Sequence, residues 1–181
     1  MKQKDNHSIR MLQGLITSKT RIRLLFMFFL NKENISYLRE LEHVLNDSAN
    51  SIRIELLKLE ELHLLISFKL GNRKFYQANT SHVFFPDIRN LLLKDIGFDS
   101  IKYLLQRDIS GLYEIYVIGN YARGITSNIV ELVLIGQELD NNQINTTLVE
   151  IELEVGKKIQ FITMQNLEFK SLLKPSNMFK I

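Results

Sequence analysis

The chain has 181 residues, 45% of them hydrophobic, which supplies a buried core and excludes a disordered chain. It contains no cysteine, so disulfides, thiol nucleophiles and Cys-ligated zinc are excluded. Residues 1–110 hold 17 basic and 12 acidic side chains while residues 111–181 hold 6 and 8, so a polyanionic partner is expected at the N-terminal part.

The opening residues Met1 to His7 are polar and lead into Ser8-Ile9-Arg10 without an apolar stretch, which predicts a cytoplasmic protein. Thr17 or Ser18 is expected to cap a helix through Leu30, with Ile22, Leu25, Phe26 and Phe29 at helical spacing. Its apolar run Leu24-Leu25-Phe26-Met27-Phe28-Phe29-Leu30 is far shorter than the roughly 20 residues that span a bilayer, and reads as a buried helix. Ser36 is read as the cap of a second short helix with Leu38, Leu41 and Leu45 on one face. Ser48 caps a third helix over residues 49–62, whose Ile52, Leu56, Leu59 and Leu62 form an apolar stripe. Two β-rich runs follow, residues 64–70 and 75–78, around the polar turn Gly71-Asn72-Arg73-Lys74.

Residues 84–97 return to a helical pattern through Phe85, Ile88, Leu92 and Ile96, and a further helix is expected from Ser100 to about Arg107. After Ser110-Gly111 the predicted order is strand, turn, strand, helix, strand, helix. The strands are residues 112–118, 131–135 and 158–163, whose apolar runs predict burial on both faces. A helix over residues 143–155 presents Ile144, Leu148, Ile151 and Val155 to them, and Asn166 starts a last helix through Leu173. His7, His43, His63 and His82 never fall at i, i+3 or i, i+4 spacing, so no metal site is expected.

Helix, helix, short turn, helix and β-hairpin is the order of a winged helix-turn-helix, expected over residues 1–83. Such a domain places the start of its last helix at base edges and its hairpin tip near phosphates. The candidate DNA contacts are therefore Asn50, Ser51, Arg53 and Lys58 on the third helix, with Asn72, Arg73 and Lys74 at the hairpin. Ile54 and Leu57 lie outside the apolar stripe; they form a partner interface or are covered by the helix over residues 84–97.

Ser18-Lys19-Thr20-Arg21, Tyr37-Leu38-Arg39-Glu40-Leu41, the run from Glu55 to Leu62 and Gly71-Asn72-Arg73-Lys74-Phe75-Tyr76-Gln77-Ala78-Asn79 resemble winged-helix regulators of the arsenic-repressor-like type. In one branch of that group a nucleotidyltransferase-fold domain follows, and the resemblance extends from about residue 15 to the end. It implies an α+β chain with a helical connector over residues 84–109 and a nucleotidyltransferase-like domain over residues 110–181.

Val117-Ile118-Gly119-Asn120-Tyr121-Ala122-Arg123-Gly124 is similar to the Gly-Ser-x-Ala-Arg-Gly element of minimal nucleotidyltransferases, where the turn meets nucleotide phosphates. Asn120 stands where that pattern has serine. The family's paired aspartates fall on Ile129 and Glu131, and its later carboxylate on Gln160. One carboxylate of three does not assemble a two-metal site, so Gly119, Asn120, Arg123 and Glu131 read as a vestigial nucleotide site without metal, cofactor or catalysis.

The expected function is regulation of transcription by a homodimer bound to double-stranded DNA, with a protein partner or a nucleotide as further ligands. Two alternatives stand beside it: a metal-dependent nucleotidyltransferase that uses its winged helix for targeting, and a winged-helix module that binds only protein.

Overall fold

In the computed structural model, which describes residue 12, residues 14–165 and residues 178–181, Ser18 caps helix α1 (Lys19–Leu25) by accepting the Arg21 amide at 3.2 Å. The apolar run then widens into a π-helical turn, Phe26–Leu30, with all five side chains buried. Burial on every side requires protein on every side. Phe29 stacks on Phe85 at 5.2 Å, and the Met27 backbone lies against Gly124 of the C-terminal half. Removing five such side chains from water contributes on the order of 10 kcal/mol, which makes this turn the centre of the core.

A short strand β1 (Ile35–Tyr37) precedes helix α2 (Leu38–Leu45). Ser36 is therefore not the helix cap expected of it. It is buried inside β1, its hydroxyl donates to Asn34 Oδ1 at 3.1 Å, and Tyr37 takes the cap position without a side-chain bond. Helix α3 (Ala49–Glu61) starts at Ser48, whose hydroxyl accepts the Ser51 amide at 3.2 Å. Ile52, Leu56 and Leu59 are buried as the stripe requires, but Leu62 is 61% exposed, because the helix ends at Glu61 and the chain turns away at His63, φ 56°. Strands β2 (Leu65–Leu70) and β3 (Arg73–Ala78) form the hairpin around Gly71 and Asn72, and β1 pairs with β3, giving the order β1-β3-β2.

Helices α4 (Phe85–Ile96) and α5 (Phe98–Asp108) connect this sheet to a second one. Strand β4 (Leu112–Ile118) runs into a single turn α6 (Gly119–Ala122), then β5 (Ile129–Gly136), helix α7 (Asn141–Val155), β6 (Lys158–Met164) and the two-residue β7 (Phe179–Lys180). The order is β6-β5-β4-β7, with β5 and β6 parallel and the other pairs antiparallel. Burial on both faces holds for β5, whose residues 130 and 132–136 are all buried and which is paired along both edges; β4 alternates, and β6, at the edge of the sheet, is largely exposed. Helix α7 buries Ile144, Leu148, Ile151 and Val155 against this sheet and against α5.

The chain is thus mixed α+β with two sheets, and one hydrophobic core runs from α1 through α7. The helix expected over residues 166–173, His7 and the opening polar segment lie outside the described residues. Among the described residues no helix is long and apolar enough to cross a membrane.

Candidate nucleic-acid interface

The N-terminal charge excess becomes informative once each cation's partner is known. Arg21 Nε lies 2.7 Å from the buried Glu55 carboxylate, and Arg23 lies 3.6 Å from Asp47. Lys58 approaches Glu55 at 3.7 Å, and Lys74 Nζ is 2.7 Å from Glu60. Burial pushes the Glu55 carboxyl up, but hydrogen bonds with Arg21 and Ser18 and the nearby Arg21 and Lys58 charges outweigh it and hold the group below its usual range. Glu60 is likewise held down by the Lys74 and Ser67 hydrogen bonds, and Lys74 is raised by the same contact. These four cations serve the fold.

Arg39, Arg53 and Arg73 differ: among the described residues none of them faces a carboxylate. Each stands on a separate element, at the start of α2, one turn into α3 and at the first position of β3, and all three line one groove of 560 Å³. Tyr37, Leu57, Asn72 and Lys74 complete much of its wall, which carries no acid and, beside the Glu60-paired Lys74, three cations. The Arg73 guanidinium lies 4.6 Å above the Tyr37 ring centroid, a contact that orients it without neutralising it. A groove with one sign of charge on low-dielectric walls concentrates counter-ions, so its natural occupant is an anion.

Of the sequence-predicted contacts, Arg53, Asn72, Arg73 and Lys74 line this groove. Asn50 is exposed near the start of α3, and Ser51 is tied to the capping Ser48 by a 2.8 Å hydroxyl contact. Lys58 lies outside the groove lining and pairs with Glu55. Ile54 and Leu57 are 43% and 45% exposed, so the connector helix does not cover them. Sequence reasoning missed Arg39 and Tyr37. Their signal was present in Tyr37-Leu38-Arg39, but only the pairing of β1 with β3 brings that segment beside the hairpin.

The C-terminal turn is built from the end of β4. Gly119 has φ +67°, and a Cβ there would stand 2.8 Å from Glu131 Oε1. The Glu131 carboxylate instead accepts the Asn120 amide at 3.3 Å. An anionic side chain of the chain itself thus lies against the turn where the resemblance implies nucleotide phosphates. Arg123 Nη2 donates to Asn120 Oδ1 at 2.9 Å, which fixes the guanidinium within the turn. Ile129, Glu131 and Gln160 occupy corresponding positions, Glu131 lying opposite Gln160 in the parallel register and Ile129 two residues earlier on the same face. Glu131 is the single carboxylate of the three. Tyr121 fastens the turn from below: its hydroxyl donates to the Ser127 carbonyl at 2.6 Å, and burial pushes its pKa up to about 12.

No family model and no curated protein matches the chain. Among solved structures, the toxin-antitoxin MntA-HpeT is 22% identical over 36% of this chain and 56% of that chain, at a TM-score of 0.34. Reduced HlyU from Vibrio cholerae is 21% identical over 51% of this chain and 92% of its own, at 0.37. The apo form of a Lactococcus lactis ZitR mutant is 18% identical over 58% of this chain and 79% of its own, at 0.38.

Proposed function

We propose that this protein is a regulator of transcription that binds double-stranded DNA through the groove between α2, α3 and the hairpin. The observation that carries the reading is the convergence in one groove of Arg39, Arg53 and Arg73, three exposed guanidiniums that have no carboxylate partner among the described residues. Helix α3, with 13 residues, has the dimensions to enter a major groove by its N-terminal end, where Asn50, Ser51 and Arg53 present hydrogen-bonding groups to base edges. Asn72 and Arg73 on the hairpin, with Arg39 on α2, then meet phosphates on either side. Two copies bound to a palindromic site complete the proposal, since two-fold regulators match two half-sites.

In this reading the C-terminal unit is a nucleotidyltransferase-like fold without transferase chemistry. One carboxylate supplies too few anionic oxygens to hold the paired divalent cations that align a triphosphate, and that carboxylate is already engaged by the Asn120 amide.

Fluorescence anisotropy of labelled duplexes tests the proposal. Wild type is expected to bind with an affinity that falls steeply with salt, and Arg39→Ala/Arg53→Ala/Arg73→Ala to bind weakly with a shallower salt dependence. Absence of duplex binding at low salt overturns it. Label transfer from a nucleoside triphosphate with magnesium, abolished by Glu131→Gln, would overturn the non-catalytic reading of the C-terminal unit.

A further inference from the structure

The hairpin sheet has a second face that the duplex groove meets only at Tyr37 and Arg73. Register places Tyr37 of β1, Phe75 of β3 and Phe68 of β2 directly opposite one another, so three aromatic rings form a row across the strands. Phe68 and Phe75 stack at 5.7 Å with 15° between their planes, and Phe75 meets Tyr37 edge-on at 5.4 Å. Alternation puts Arg73 and Leu70 in the next row on the same face, while Leu65, Tyr76 and Ala78 of the opposite face are buried in the core. Phe68 remains 41% exposed and Leu70 68% exposed. Two strand spacings of about 4.8 Å make the row roughly 10 Å wide, room for two or three nucleobases.

The occupant follows from charge and from ring chemistry. The residues that register brings to this face include no carboxylate, and its one charge is Arg73. A second copy laid on it would therefore bring two guanidiniums together without a counter-charge. A duplex supplies phosphates, but its bases are already stacked on one another. Unpaired bases supply both π-faces and phosphates, and aromatic side chains on a sheet flanked by arginine are a sequence-tolerant platform for them.

We propose that the exposed face of β1-β3-β2 binds single-stranded nucleic acid by stacking unpaired bases on the Tyr37–Phe75–Phe68 row, with Arg73 at the backbone. This site meets the groove at Tyr37 and Arg73, which line both, with Arg73 covering the Tyr37 ring; Phe75 and Phe68 lie outside the groove. Its occupancy does not require the duplex reading to hold.

Anisotropy with the full chain tests it, using labelled oligothymidylate, oligouridylate, an abasic strand of equal length and a duplex. The base-bearing strands are expected to bind about tenfold or more tightly than the abasic strand. Phe68→Ala is expected to weaken them about tenfold, Phe68→Tyr to preserve them, and both variants to leave duplex binding unchanged; loss of the Phe75 stack lowers the Phe68→Ala melting temperature by only about 2–4 °C. The two base-bearing probes distinguish DNA from RNA. Equal binding of base-bearing and abasic strands, or an unaltered affinity in Phe68→Ala, overturns the proposal. So does a dimer in light scattering that Phe68→Ala converts to monomer, which would make the face an interface between copies. Arg39→Ala/Arg53→Ala separates the two sites: loss of duplex binding with single-strand binding retained is the expected pattern.

Discussion

Gly124 is the position where the C-terminal turn meets the central π-helical turn most closely, and Gly124→Ala measures what that contact contributes. Gly124 has φ +74°, a conformation that strains an alanine by about 1 kcal/mol. The added Cβ would also stand 2.6 Å from both the Met27 amide nitrogen and Met27 Cβ. The obstacle is backbone of a fully buried segment, so no rotamer change relieves it, and the overlap costs a further ~1–3 kcal/mol. The total of roughly 2–4 kcal/mol lowers the melting temperature of a chain this size by about 4–16 °C. Calorimetry on both proteins checks this. A variant melting within about 2 °C of wild type would refute the claim that the two halves share a rigid junction through Met27 and Gly124.

Two further predictions concern buried charge. Asp95 is buried on α4, and burial pushes its pKa up to about 6 from an ordinary 3.8, against the Leu12 amide and the buried Lys157 cation, which favour its ionised form. A carboxyl raised on folding holds its proton longer in the native state, so its penalty grows as pH rises from about 4 through about 6 and is constant above. Carbon-13 detection of the Asp95 carboxyl should give a midpoint near 6, and one below 4.5 would contradict the assigned burial. Arg21→Ala acts in the opposite sense. It leaves buried Glu55 with the Ser18 hydroxyl and Lys58 at 3.7 Å, and should cost roughly 1–3 kcal/mol at pH 7 in urea unfolding. Because Glu55 is lowered on folding, that difference should shrink as pH falls below the unfolded carboxylate range, and a loss independent of pH would point to packing instead.

What could be read from the sequence was what local spacing encodes. Ser48 and the stripe Ile52, Leu56, Leu59 announced α3, and the polar turn between two β-rich runs announced the hairpin. Leu62 failed because a stripe does not say where its helix ends, and Ser36 failed because a β1 pairing partner 40 residues downstream outcompetes a local cap. Phe26–Leu30 has no apolar period, so its widened turn left no trace in the pattern. Strand β7, with two residues, is below the length at which alternation is visible. At the candidate site, Arg53, Arg73 and Asn72 were identified from type and position alone. Which cations remain free was not readable, since Glu55 and Glu60 neutralise residues 34 and 14 positions away. The turn over residues 119–124 was legible as a motif. That the Glu131 carboxylate lies against Gly119 depends on the β4-β5 register, which pairs Ile118 with Glu131.

The most direct test of the central claim is the salt dependence of duplex binding for wild type and Arg39→Ala/Arg53→Ala/Arg73→Ala. Each phosphate contact removed should lower the slope of log affinity against log salt by about 0.9. Arg39 and Arg73 are the two phosphate-facing members, so a slope shallower by nearly 2 in the triple variant is the predicted result. An unchanged slope would show that Arg39 and Arg73 do not meet DNA phosphates, and would contradict the groove's assignment.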